Sequence, residues 1–127
     1  FKNLNTNALF LYSYGMFLNE INQFENSIDV LNMAGKIYKN KSYYKLLSNN
    51  YEILGQYKNA EKMYLMSHYI TPVLFKPQES ILDFYIRNNN EVNAKQWAHK
   101  ILNSKIKIES NEVLRIRTKA ENYLKGR

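Results

Sequence analysis

Cysteine is absent from the 127 residues, which excludes disulfides, thiolate metal sites and a cysteine nucleophile. No run of eighteen apolar residues occurs, so we expect no membrane-spanning helix within the sequence. An initial methionine and a signal peptide are also lacking, and we expect the sequence to be part of a longer chain. The motifs G-x-x-x-x-G-K-[ST], G-x-S-x-G and H-E-x-x-H are missing. We therefore predict a protein that is not an enzyme, with no catalytic residue, no metal site and no cofactor.

Positive charge is concentrated in the last quarter of the chain. The net charge is +7, but residues 1–94 carry nine Lys/Arg against eight Asp/Glu, and residues 95–127 carry nine against three. Such charge steers association with an acidic partner or an anionic membrane surface, or it simply keeps a solvated face soluble. Because no nucleic-acid-reading motif accompanies it, no nucleic-acid partner is expected. The sequence indicates no oligomeric state.

Apolar residues recur three and four positions apart along the whole chain, which predicts α-helices. Tyr44, Leu47, Tyr51 and Leu54, for example, fall on one helical face. The segment "KIKI" at 105–108 alternates instead, and we expect it to be an extended connector. Seven helices with tight turns follow from this pattern. The predicted breaks are at 22–23, 40–42, 55–56, 71–77 and 88–90.

The helical pattern repeats. Ser27, Ala60 and Ala94 are small residues that recur at a spacing of about 34 residues. The middle unit carries a defined series of large, small and aromatic residues that ends in proline: Tyr44, Leu47, Ser48, Tyr51, Gly55, Tyr57, Ala60, Tyr64 and Pro72. With these residues the chain resembles the tetratricopeptide repeat family, whose pattern spans about 34 residues.

This resemblance implies an all-α fold, a right-handed α-solenoid of three helix pairs followed by a capping helix. Stacked pairs are needed because one pair cannot bury its apolar face alone. Ser110 is a suitable N-cap for the capping helix. We predict a single domain over 1–127, with repeats at about 8–40, 41–74 and 75–108 and the capping helix at about 110–125.

The resemblance also implies a site. In this family the first helix of each pair lines a concave groove that accepts an extended peptide or a partner helix, and some members hold a peptide's terminal carboxylate at the positions of Lys45 and Asn49. A lysine supplies charge there, and an asparagine supplies a donor and an acceptor. We predict a non-catalytic protein-interaction scaffold with a protein or peptide partner, unless the groove is closed by the capping helix or by other parts of the chain. The register also turns Met16 towards this groove. The predicted binding residues are Tyr12, Lys45, Asn49, Glu52 and Asp83.

The C-terminal half carries a second resemblance. Pro72, Pro77, Ala94, Ala98 and the connector "ILNSKIKI" resemble the helical tail of bacterial O-antigen ligase/polymerase-like membrane proteins. This implies an alternative function, that of a soluble accessory domain of a membrane-bound glycan-handling protein. Contact with a membrane would then be made only through other parts of the chain. The domain would lie in the bacterial cytoplasm or on the periplasmic side of the inner membrane.

Overall fold

The described parts of the chain, residues 4–35 and 39–126 in a computed structural model, are built from α-helices and contain no strand. Side chains are described from residue 7 onward within these ranges. The end of the first predicted repeat, 36–38, lies outside them. None of these helices combines the length and the hydropathy that crossing a membrane requires. The seven helices are α1 Leu4–Glu20, α2 Phe24–Ala34, α3 Lys41–Ile53, α4 Tyr57–Tyr69, α5 Phe75–Arg87, α6 Glu91–Asn103 and α7 Asn111–Leu124.

The helices form two compact units, which divide between Ile70 and Thr71. In the first unit α1 packs on α2, α2 on α3, and α3 on α4. In the second unit α5 packs on α6, and α7 packs on both of them. Pro77 lies in the first turn of α5, where a missing N–H costs no helical hydrogen bond. The assignment of the whole chain to one domain of three repeats stays a prediction.

One turn geometry follows α1, α3 and α5. Two residues after each of these helices the backbone has a positive φ, at Asn22 (64°), Gly55 (76°) and Asn89 (58°). The following N–H donates to a carbonyl five residues back, as from Gln56 to Tyr51 at 2.8 Å. Glycine and asparagine are the residues that adopt this conformation most readily, and the bond closes the helix end. Part of the sequence repeat therefore reflects the backbone, because the same turn requires glycine or asparagine at the same position after each of these helices.

Small residues allow the paired helices to approach closely. Ser27, Ala60 and Ala94 each lie five residues after the positive-φ residue, and all three are fully buried. At the crossing of α1 and α2, a Cβ atom added to Gly15 would lie 2.7 Å from the Leu31 side chain. Leu31 is itself fully buried, so a larger residue at position 15 would push the two helices apart.

A buried chain of hydrogen bonds connects α1, α2 and α3. Asn50 of α3 has no solvent exposure, and its amide nitrogen donates to Ser27 Oγ at 2.9 Å. Ser27 Oγ donates in turn to the carbonyl of Gly15 at 2.6 Å. The side-chain oxygen of Asn50 accepts from Asn19 Nδ2 at 2.7 Å. One asparagine thus holds three helices at a fixed register, because a buried amide left without partners is costly.

Replacing Asn50 by leucine should lower the free energy of unfolding by about 1–3 kcal/mol, because both amide bonds are lost while Asn19 and Ser27 keep groups that need partners. Urea melts followed by circular dichroism measure the effect. Asn32→Leu is the matched control, since Asn32 is exposed on α2 and its replacement should change stability by under about 0.5 kcal/mol. Equal midpoints for the two variants would contradict a structural role for the buried amide.

Candidate functional site

A pocket of about 320 Å³ opens in the first unit. Tyr12 and Met16 are one turn apart on α1 and contribute one wall. The facing wall comes from α3, whose lining residues are spaced as one helical face, and Tyr64 of α4 completes the pocket. This volume is at the lower end of the range found for pockets that hold small molecules. The α3 residues are Ser42, Lys45, Leu46 and Asn49.

The pocket combines apolar area with a few polar groups. Tyr12 and Leu46 are half-buried and supply apolar surface, whereas Lys45 and Asn49 are exposed at the opening. An exposed lysine presents a positive point charge that attracts carboxylates, and an asparagine side chain can pair with both groups of a peptide bond. The pocket lining therefore combines apolar, charged and amide groups. Among the described residues no three His, Asp or Glu side chains are grouped as metal ligands would be.

Glu52 does not line the pocket but is bonded to Tyr64, which does. Its Oε1 accepts a hydrogen bond of 2.9 Å from the hydroxyl of Tyr64. Tyr64 is only 6% exposed and forms part of the lining, so the bond fixes the position of its ring. Of the five residues predicted from the sequence, Tyr12, Lys45 and Asn49 line this pocket together. Glu52 contacts it only through its hydrogen bond with Tyr64.

Asp83 has a different setting. It lies on α5 in the second unit, where both of its carboxylate oxygens are 3.2 Å from the ammonium group of Lys119 on α7. Lys119 also approaches Glu79 at 2.6 Å. Asp83 is therefore part of an ion-pair cluster that holds α7 against α5, and not part of the pocket.

Glu79 is the centre of this cluster. Its side chain is only 5% exposed and accepts two hydrogen bonds from the Arg115 guanidinium, at 2.6 and 3.1 Å. Lys119 lies against the same carboxylate, and Lys76 approaches it at 3.3 Å. The bonds from Arg115, and then those from Lys119, outweigh the effect of burial and lower the pKa of Glu79 to about 2. The carboxylate is thus ionised and paired throughout the physiological range.

Other basic residues of α7 are also engaged within the second unit. Arg117 donates to the carbonyls of Leu102 and Ile101, at 2.9 and 3.4 Å, and so satisfies the end of α6. The predicted N-cap is confirmed, because Ser110 Oγ accepts from the amide of Val113 at 3.1 Å. Part of the C-terminal positive charge therefore serves internal packing.

Known folds provide the comparison. No protein-family model matches the chain, and no curated protein matches it in sequence. Yeast Tom70 matches in structure with a TM-score of 0.72 and 15% identity, over 97% of this chain and 25% of its own. The Sgt2 TPR domain from Aspergillus fumigatus gives 0.68 and 17%, over 93% and 79%. Pseudomonas aeruginosa PcrH in complex with the chaperone binding region of PopD gives 0.67 and 11%, over 91% and 86%.

The fold is tetratricopeptide-like. These matches, with the seven helices, confirm the predicted all-α helical-repeat class, the α-solenoid. At such low identity they establish the fold alone. The chain also spans only a quarter of the length of Tom70.

The tetratricopeptide-like register relates the two units. Tyr12, Lys45 and Glu79 each lie ten residues before a positive-φ turn, and Met16, Asn49 and Asp83 lie six before it. In the first unit these positions line an open pocket, whereas in the second they are paired with α7. The same register thus lines an open pocket in one unit and contacts an internal helix in the other, depending on whether a later helix of the unit covers it.

Three lining residues were not indicated by the repeat register. Ser42 and Leu46 follow from the spacing of the α3 face, because they lie three residues before and one residue after Lys45. Tyr64 carries no such signal, since its position in the repeat indicates core and its ring is indeed almost fully buried. Only the packing of α4 on α3 brings Tyr64 to the pocket.

The Glu79 cluster makes the stability of the second unit depend on pH. The folded-state pKa of about 2 lies below the usual 4.5, so the stabilisation is complete above about pH 5 and is lost as the pH falls towards 2. It amounts to up to roughly 3 kcal/mol. Glu79→Gln should lower stability near neutral pH and reduce its dependence on pH between these limits.

Urea melts at several pH values, followed by fluorescence of the single tryptophan, Trp97 of α6, report on this unit. Glu109→Gln is the control, because Glu109 is an exposed carboxylate in the connector before α7. If the Glu79→Gln and Glu109→Gln chains both give the pH profile of the parent chain, the cluster does not support the unit.

Proposed function

We propose that the chain is a non-catalytic protein-interaction domain that binds a polypeptide at the first-unit pocket. The observation that carries the proposal is that Tyr12, Lys45 and Asn49, from two different helices, line one pocket together with the apolar side chains of Met16 and Leu46. The comparison with PcrH supports it, because that tetratricopeptide-like protein was solved with a binding region of PopD.

The composition of the pocket favours a particular ligand chemistry. An apolar or aromatic side chain of the ligand would rest against Tyr12, Met16 and Leu46, where rings and methylene groups supply contact area. Lys45 at the opening favours a carboxylate, either an acidic side chain or the terminal carboxylate of a peptide. Asn49 would pair with a backbone amide of an extended segment. The ligand is therefore a peptide with an apolar residue next to a negative charge.

The test is selection of binders from a library of short random peptides, prepared with free and with amidated C-termini. The Lys45→Ala/Asn49→Ala chain should bind the selected peptides at least about tenfold more weakly, since each lost polar contact costs roughly 1 kcal/mol. Its melting temperature should change by only a few degrees, because both residues are exposed. Preference for free over amidated termini would identify terminal carboxylate capture.

A matched control is available on α4, where Lys58 and Asn59 are also exposed and neither lines the pocket. The Lys58→Ala/Asn59→Ala chain should bind the peptides as the parent does. If binding survives the change at 45 and 49 but is lost when Lys105 and Lys107 of the connector and Lys125 are neutralised, the site lies in the basic C-terminal region. That result would overturn the assignment to the pocket.

A second proposal is that the chain serves as the soluble accessory domain of an O-antigen ligase/polymerase-like protein. Its support is the resemblance of the C-terminal half, including Pro72, Pro77 and the connector before α7. Determining the gene sequence that encodes the residues before Phe1 tests it directly. Many apolar spans upstream would support this proposal, and their absence from the complete gene would exclude it. Peptide binding at the pocket is compatible with either outcome.

A further inference from the structure

An apolar stripe runs along the solvent-exposed side of α1 and continues onto Ile21, the residue after the helix, whose N–H still donates to the carbonyl of Phe17. It consists of Phe10, Tyr14, Phe17 and Ile21, which are 68%, 44%, 52% and 45% exposed. Phe10 and Tyr14 stack with their ring centroids 6.4 Å apart. The intervals of four, three and four residues are those of the alternating a and d positions of a coiled-coil seam. An exposed apolar patch of this kind often marks an interaction site.

The corresponding positions of α3 are covered by a helix. When the turns at Asn22 and Gly55 are aligned, the α1 stripe corresponds to Tyr43, Leu47, Asn50 and Leu54. Leu47 packs in a cluster with Ile28 and Leu31 of α2, and Asn50 bonds to Ser27 of α2. The fold therefore shapes this face of such a helix to receive another helix.

The α1 stripe is self-complementary in one orientation. When two copies of α1 run antiparallel, Phe10 lies opposite Ile21 of the second copy, and Tyr14 lies opposite its Phe17. Each a position then meets a d position, as in antiparallel coiled coils. Glu20 is the single charged residue of α1. The antiparallel orientation places the two Glu20 side chains at opposite ends of the pair, whereas a parallel one would bring these like charges together.

We propose that the α1 stripe is a homodimer interface, occupied by α1 of a second copy in antiparallel orientation. At roughly 100 Å² of apolar surface for each half-exposed large side chain, the stripe supplies about 400 Å² per copy. A standard stable interface takes about 800 Å² from each partner. The dimer should accordingly be weak and form reversibly as the concentration rises.

The interface is separate from the pocket of the proposed function. Successive helical residues are about 100° apart around the axis, so Tyr12 and Met16 lie on roughly the opposite side of α1 from the stripe. Dimerisation thus leaves the pocket open. The failure of either proposal says nothing against the other, because the two surfaces share no residue.

Sedimentation equilibrium of the intact chain over micromolar to about 1 mM concentration tests the proposal. The parent chain should show a monomer–dimer equilibrium. Phe17→Glu should weaken the dimer at least about tenfold, because the two copies then place charged groups within an apolar seam. Circular dichroism establishes that the variant remains folded. A parent chain that stays monomeric up to the highest concentration overturns the proposal.

Val92→Glu is the matched control, since Val92 of α6 is 78% exposed and lies in the other unit. It should dimerise as the parent chain does. Loss of the dimer in this control, with retention in Phe17→Glu, would also overturn the proposal, because the interface would then lie elsewhere.

The absence of cysteine permits a test of orientation. Tyr14→Cys and Phe17→Cys chains are mixed in equal amounts, oxidised and analysed by mass spectrometry. The antiparallel arrangement places position 14 opposite position 17, so the mixed disulfide should exceed the half of all disulfides that random pairing of the two chains would give. Predominance of the two symmetric disulfides would indicate parallel helices and overturn the proposed arrangement.

Discussion

The buried amide of Asn50 is the constraint on which the first unit depends. Its two hydrogen bonds reach Asn19 on α1 and Ser27 on α2, and Ser27 continues the chain to the backbone of Gly15. Apolar packing alone would permit neighbouring helices to slide, since it is not directional. The amide chain permits one register. The pocket inherits this precision, because Tyr12 and Lys45 are carried by the two helices that Asn19 and Asn50 join.

In the second unit, ion pairs hold two helices in register. Its first helix, α5, is connected to α7 through Glu79, which Arg115 and Lys119 surround. A neutral amide chain is indifferent to pH and salt over a wide range, whereas an ionic cluster responds to both. Glu79 is shielded from solvent, so salt should screen it less than it screens exposed pairs such as Glu91 and Lys95. The two units are built on one register but differ in what weakens them.

The sequence was sufficient for the helices and for part of the site. Helical spacing and the Asn or Gly at each turn set the breaks after α1, α3 and α5, because both signals are local. The repeat register placed Tyr12, Lys45 and Asn49 on facing surfaces. The register could not predict the partner of Asp83, because it specifies which helix face a residue occupies but not which side chain from another helix approaches it. Lys119, on a helix far along the chain, decides that. Asn50 was equally unpredictable, because an asparagine on a helix normally indicates solvent.

The connector between α6 and α7 has its own consequence. Lys105 and Lys107 are exposed there, in a segment without helical structure that reaches to Ser110. Exposed irregular segments are the preferred sites of proteolytic nicking. A trypsin cut in this segment would sever the backbone yet leave Arg115, Arg117 and Lys119 on their partners. A chain cut only in this segment would make α7 a separate peptide, whose affinity for α5 and α6 could then be measured.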